Sequence, residues 1–87
     1  MPTISMFYGI IIRMFNNGRE HNPPHIHAEY QGQQAVFDLD GNLLEGGLPT
    51  KQRRMVTVWA SIHHDELVAN WELASSKEPL FTIDPLR

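Results

Sequence analysis

Alternating hydrophobic and polar side chains mark the centre of the chain as a β-hairpin. The segments His25 to Tyr30 (HIHAEY) and Ala35 to Asp40 (AVFDLD) both alternate, and a period of two places successive side chains on opposite faces of a strand. Gly32 lies between them and suits the first central position of a type II′ turn. That turn sets a register with four predicted cross-strand pairs: Ile26 with Leu39, Ala28 with Phe37, His25 with Asp40, and His27 with Asp38.

Further strands are predicted on both sides of this hairpin. The β-branched and aromatic residues of Ile10 to Phe15 favour a strand. Pro23 and Pro24 then force extended backbone up to His25. After the turn sequence Asp-Gly-Asn, a short fourth strand is expected around Leu43 to Glu45. The pattern therefore indicates an antiparallel meander of three to four strands.

From Pro49 onward the spacing of apolar residues becomes helical. Met55, Val58, Trp59 and Ile62 form one stripe, whereas Leu67, Trp71 and Ala74 would lie about 120° around a straight helix. A break near His63 and His64 would realign the two stripes. We therefore predict two helices, Thr50 to Ile62 and Asp65 to Ser75.

Together these elements predict an α+β fold, in which two C-terminal helices pack on one face of the meander, the face that carries Ile26, Ala28, Phe37 and Leu39. A chain of 87 residues has room for one core. We expect one domain, with a sheet part at about 1–47, a helical part at about 48–76 and an extended tail at 77–87.

Composition and the absence of certain motifs exclude several classes of protein and site. Cysteine is absent, which excludes disulfides and thiolate ligands, and the first residues fit neither a signal peptide nor a membrane span. A cytoplasmic location without membrane association is the default expectation. The net charge of −3 argues against indiscriminate binding to nucleic acid, although a local basic patch remains compatible with it. No phosphate loop, nucleotide fingerprint or serine elbow is present.

The predicted polar face of the hairpin carries the candidate chemistry. His25, His27, Asp38 and Asp40 would form a grid of two imidazoles and two carboxylates, a ligand set that suits Zn, Mn or Ni. Without metal, His27 paired with Asp38 could transfer protons as in a ribonuclease, with Arg13 holding a phosphate. Ordinary cross-strand pairing, which contributes about 0.2 to 1 kcal/mol per pair, is the simpler interpretation. We rank a metal-free face ahead of a metal site.

Three basic residues lie in the first turn of the first predicted helix, Lys51, Arg53 and Arg54. The helix dipole destabilises a cation at this end of a helix by about 0.3 kcal/mol or more. They could bind phosphate or an acidic partner. A solvated surface is the more common role for such charges.

Five stretches of the sequence resemble a bacterial family known as domain of unknown function 4160. They are PTIS, GIIIRMF, HNPPHIHAEY, LLEGGLP and VWASIHHDELVANWE. The resemblance implies a short prokaryotic protein that forms one half of a two-gene pair of the toxin and antitoxin type, with another small protein as partner. It implies no catalytic residues.

Two functions are consistent with the sequence. The favoured one is an interaction module of such a pair, which binds a small cognate protein, its own copies, or both. The alternative is a small RNase-like nuclease that acts on RNA through the face containing His25, His27, Asp38 and Asp40. The sequence does not indicate which half of the pair this chain would be.

Overall fold

The computed structural model describes residues 2–15 and 23–87, and within them the chain forms five strands followed by two helices. The strands form one antiparallel sheet in chain order. The predicted α+β class and the two C-terminal helices are confirmed, but the sheet has one strand more than the three to four expected. The elements are β1 Thr3–Phe7, β2 Ile10–Arg13, β3 His25–Tyr30, β4 Gln33–Asp38, β5 Leu43–Gly46, α1 Thr50–Ile62 and α2 His64–Ser75.

The additional strand, β1, results from a tight turn at Tyr8 and Gly9. Both residues have positive φ, 49° and 80°, which is the conformation of a two-residue type I′ hairpin. Phe7 therefore pairs with Ile10. Positive φ is uncommon for a residue such as Tyr8, so the sequence gives little sign of a turn at this position.

The register between β3 and β4 differs by two residues from the prediction. Gln31 and Gly32 both have positive φ, so they form the turn, and Tyr30 pairs with Gln33. A shift of two keeps every side chain on its predicted face but changes its partner. The predicted pairs of His27 with Asp38 and of His25 with Asp40 are wrong. The observed pairs are His25 with Asp38, Ile26 with Phe37, His27 with Val36, and Ala28 with Ala35.

The hydrophobic core lies between the sheet and the helices. The sheet residues predicted to face the helices are buried, namely Ile26, Ala28, Phe37 and Leu39. The buried residues of α1 are Val56, Trp59 and Ala60. Val58 and Ile62, which the predicted stripe included, are instead 49% and 62% exposed.

The rotation of α1 follows from its contact with the turn after β4. The hydroxyl of Thr57 donates a hydrogen bond of 2.9 Å to the carbonyl of Gly41. A Cβ atom at Gly41 would lie 2.8 Å from the carbonyl oxygen of Thr57, so only glycine permits this approach. With Thr57 beside the turn, Val56 and Ala60 face the core, and Val58 and Ile62 face outward.

The helices are separated by a short break, as the change of stripe predicted. α1 ends at Ile62 and α2 begins at His64, one residue before the predicted start. His63 lies between them with φ −105° and ψ 25°. α2 buries Leu67, Asn70 and Ala74.

The chain after α2 packs against the rest of the molecule. The Ile83 N–H donates to the Ile4 carbonyl at 2.7 Å, and the indole N–H of Trp59 donates to the Asp84 carbonyl at 2.8 Å. The tail therefore lies beside β1, one end strand of the sheet. All four residues of β5, the other end strand, are exposed.

Candidate functional site

Two rows of side chains cross the face of the sheet that does not carry the core. Thr3, Arg13, His27, Val36 and Glu45 are cross-strand partners in succession through all five strands. A second row contains Met6, Ile11, Glu29 and Gln34. Every one of these residues is exposed or half-buried, so the face is open to solvent and mixes apolar with charged groups.

A depression on this face, which we call the histidine groove, contains both histidines of β3. Its volume is about 630 Å³, and a neighbouring depression of about 360 Å³ contains Arg13 and Glu29. Both volumes lie in the range of small ligand sites. The groove is lined by Phe15, Pro23, His25, His27, Val36, Leu44 and Glu45.

A row of four rings connects this groove with α2. Phe15 stacks on His27 with ring centroids 5.3 Å apart. His27 and His25 meet edge to face at 5.1 Å. His25 in turn contacts Trp71 at 5.2 Å. His25, at the start of β3, is only 6% exposed, so its ring is held between a groove residue and a helix residue.

The proline segment before β3 fixes the orientation and tautomer of His25. Nδ1 of His25 lies 3.0 Å from the Pro23 carbonyl oxygen. A carbonyl oxygen can only accept, so Nδ1 carries a proton and donates this bond. In the neutral ring, Nε2 is therefore the acceptor nitrogen.

Arg13 reaches the same face but is engaged by a carboxylate. Its guanidinium lies 3.0 Å from Oε1 of Glu29, and both side chains are about one-third exposed, 30% and 35%. His27 is the strand partner of Arg13. Arg13 thus lies on the same face as His27, with its charge balanced by Glu29.

Asp38 pairs with His25 through the backbone register, but its carboxylate belongs to the turn between β4 and β5. The carboxylate accepts hydrogen bonds from the Asp40 N–H, the Asn42 N–H and the Asn42 side-chain amide at 2.9, 2.9 and 3.0 Å. Partial burial raises the pKa of Asp38, but these bonds outweigh it and hold the pKa below its ordinary value. Asp38 therefore stabilises the turn.

Asp40 lies at the junction of the helices instead of beside the sheet histidines. One of its carboxylate oxygens is 3.0 Å from Nε2 of His64. The neighbouring His63 donates through Nδ1 to Glu66 at 2.6 Å. Asp40 and His64 join the turn after β4 to the start of α2.

The predicted metal ligands are thus divided among three places. His25 and His27 line the groove, Asp38 binds the turn, and Asp40 binds His64. Within residues 2–15 and 23–87, no group of three or more His, Asp or Glu side chains is arranged to hold a metal ion. The four predicted ligands do not fit a Zn, Mn or Ni site as they are placed.

The basic residues of α1 lie apart from the groove. Lys51, Arg53 and Arg54 are exposed in the first turn of α1 and do not line either depression. They form no ion pair with any residue that the structure describes. Their charges are therefore available to a partner.

Sequence reasoning missed several groove residues. Phe15 follows Arg13 at the spacing of a strand face, so the alternation that selected Arg13 also contained this signal. Trp71, which the sequence placed on the apolar stripe of the second helix, also contacts His25. The sequence did not identify Glu45 and Leu44 as groove residues. The pairing of β5 with β4 is irregular between Val36 and Phe37 of β4, so alternation does not predict which face each β5 residue lies on.

Comparison with known proteins identifies a family only. The family described as "Domain of unknown function (DUF4160)" matches residues 9–72, which include β2 to β5, α1 and most of α2. No curated protein and no solved structure matches the chain. The matched range contains every residue that lines the histidine groove.

Proposed function

The chain belongs to the family described as a domain of unknown function, DUF4160, and we propose that it is a small cytoplasmic interaction module. Its partner would be a small cognate protein, in a pair of the toxin and antitoxin type. The pairing is what the family resemblance implies. The surface of the molecule supplies the physical argument for a protein partner.

The observation that carries this proposal is the uncovered end strand β5 beside the histidine groove. The tail lies along β1, but all four residues of β5 are exposed. An end strand presents unpaired backbone groups with which a strand of another chain can pair. Leu44 belongs both to this strand and to the groove, so a partner paired with β5 would also cover the groove.

The charges of the groove favour a protein partner over a polyanion. Nucleic-acid affinity depends on cations that neutralise phosphates. Among the described residues, the cation beside the groove is Arg13, which already has Glu29 as its counterion. Glu45 adds a negative charge. Apolar and aromatic residues such as Phe15 and Leu44 are typical of the centre of a protein interface.

A small nuclease is the second candidate, because two imidazoles lie side by side in the groove. The rings of His25 and His27 are 5.1 Å apart, and Arg13 is the strand partner of His27. Two neighbouring imidazoles can act as acid and base in hydrolysis of an RNA phosphodiester. The carboxylate of Asp38, which we expected to assist His27, is engaged by the turn.

The two candidates are separated by one set of measurements. Light scattering of the protein mixed with the product of the neighbouring gene should detect a complex. Leu44→Asp should abolish it, whereas Val58→Asp should not, since Leu44 and Val58 are similarly exposed, at 47% and 49%, but only Leu44 lies in the groove. A strictly monomeric protein that does not bind this gene product contradicts the proposal.

The nuclease is tested with the same preparation. Purified protein would be incubated with RNA and with DNA, and the His27→Ala variant would serve as control. Cleavage that the substitution removes would favour the nuclease over the interaction module. We expect no cleavage that depends on His27.

A further inference from the structure

The histidine groove contains one formal charge that the described residues leave unbalanced. Arg13 and Glu29 neutralise each other at 3.0 Å. The Glu45 carboxylate, by contrast, forms no hydrogen bond or ion pair within residues 2–15 and 23–87. Because Glu45 lines both depressions, the described residues give the groove a net negative charge.

His25, whose tautomer is known, prefers the same kind of ligand as Glu45. The Pro23 carbonyl holds the proton of His25 on Nδ1, so the other nitrogen of the neutral ring accepts hydrogen bonds. Glu45 can likewise only accept when it is ionised. Both groups therefore favour a ligand that donates hydrogen bonds.

The walls of the groove are apolar and aromatic. Phe15 stacks on His27, and Val36 and Leu44 lie in the same lining. An arginine side chain has an apolar stem, a planar cationic head that stacks on rings, and five N–H donors. Its chemistry matches each part of the groove.

We infer that the histidine groove binds an arginine side chain from an extended segment of the partner protein. The segment lies along β5, where alternate side chains of an added strand point to the same face. The arginine stem packs on Phe15 and Leu44, and its head donates to Glu45. This inference rests on the proposed interaction module and specifies what the partner presents.

Short peptides test this inference without the natural partner. The probes are capped pentapeptides of sequence Thr-Val-Arg-Val-Thr, with lysine, glutamine or glutamate at the central position as the matched series. Binding would be followed through the imidazole carbon-bound protons of His25 and His27 by NMR. The arginine peptide should bind about tenfold more tightly than the glutamine peptide, and the glutamate peptide should bind least.

Matched variants of the protein locate the contact. Glu45→Gln should reduce affinity for the arginine peptide to about that for the glutamine peptide and should remove its salt dependence. Glu78→Gln is the control, since Glu78 is exposed after α2 and does not line the groove. Equal binding of all four peptides, or an equal effect of the two substitutions, would overturn the inference.

The outcomes separate this inference from the proposed function. If the complex with the neighbouring gene product forms and is unaffected by Glu45→Gln, the proposed interaction module is supported and the inferred arginine contact is wrong. If the peptide binds through Glu45 but no complex forms, the groove is correct and the proposed function is wrong. Self-association that is lost on Arg53→Glu with Arg54→Glu would identify the occupant as a second copy, and displacement of the peptide by RNA would identify it as nucleic acid. Either result overturns the inference.

Discussion

Asn70 makes both of its side-chain hydrogen bonds with the backbone of one residue, Phe81. Its amide nitrogen donates to the Phe81 carbonyl at 2.8 Å, and its amide oxygen accepts from the Phe81 N–H at 3.0 Å. Asn70 is fully buried in α2. These two bonds give its buried amide hydrogen-bond partners and hold the tail against the helix. The bond from Trp59 to Asp84 holds the same segment to α1.

We predict that Asn70→Ala lowers the free energy of unfolding by about 2 to 4 kcal/mol, because two hydrogen bonds are lost and the backbone groups of Phe81 lose their partner. Asn70→Asp should be at least as damaging, since an ionised carboxylate cannot donate and would be buried. Urea denaturation measures both changes. Ser61→Ala, at an exposed position of α1, is the control, and a loss no greater than that of the control would refute the role of Asn70.

Phe37 is one of the large side chains of the core, and we predict that its removal is costly. It is fully buried, so Phe37→Ala should cost about 3 to 5 kcal/mol through lost burial and the cavity that remains. Asp40→Ala should cost less than about 1 kcal/mol, because Asp40 is exposed and its pairing with His64 is screened by solvent. Thermal or urea unfolding of both variants is the comparison, and similar losses would contradict the observed core.

The Asp38 carboxylate should make stability depend on pH in the acidic range. Its pKa is lower in the folded chain than in the unfolded chain, so it stabilises the fold at pH values above its unfolded pKa. That contribution is lost as the pH falls through the folded pKa. Asp38→Asn should therefore destabilise the protein at neutral pH by about 1 to 2 kcal/mol. This difference in stability from the parent should narrow as the pH falls through the folded pKa of Asp38. A stability difference between Asp38→Asn and the parent that does not change with pH would show that the charge of Asp38 is not involved.

Ser5→Ala is expected to stabilise the protein by about 1 kcal/mol. Ser5 is the strand partner of buried Ile12, and its buried hydroxyl has no hydrogen-bond partner in the part of the chain that the structure describes. Removing such a group avoids the cost of its desolvation. The melting temperature should rise in Ser5→Ala, and a fall would indicate that the hydroxyl is satisfied.

Zn, Mn and Ni titrated into metal-stripped protein should show no saturable binding that depends on the sheet histidines. The two carboxylates expected to join them are engaged by Asn42 and His64, and one pair of imidazoles is a weak site. Calorimetry would compare the parent with His25→Ala combined with His27→Ala. Binding that the double variant loses would restore a metal site.

Local periodicity predicted the elements of this fold better than their pairing. The bounds of β3 and α1 agree with the prediction because alternation and the 3.6-residue period are properties of one segment. The register could not be chosen, since a turn at Gln31 and Gly32 and one displaced by a residue keep the same faces. The side of α1 that faces the core was equally ambiguous, because apolar residues occupy both sides and the contact of Gly41 with Thr57 decides between them.

For the candidate site, too, the sequence predicted the strand face of a residue better than its partners. His25, His27 and Arg13 are on the strand face that alternation assigned. The ring of His27 contacts that of His25, and His27 is the strand partner of Arg13. Asp38 and Asp40 were misplaced because hydrogen bonds of the turn and the position of α2 determine where their carboxylates lie. Glu45 depends on an irregular strand pairing that no local pattern encodes.

The bond between Ile83 and Ile4 also bears on how the chain folds as it is synthesised. Each strand pair joins strands that follow one another in the chain, whereas this contact joins a segment after α2 to β1. The longer loop that it closes carries a larger entropy cost. β1 emerges from the ribosome before the other strands and both helices, and the segment that lies beside it emerges after them. We expect a nascent chain to pass through a stage with both outer strands of its sheet uncovered, when β1 of another chain could take the place of the tail.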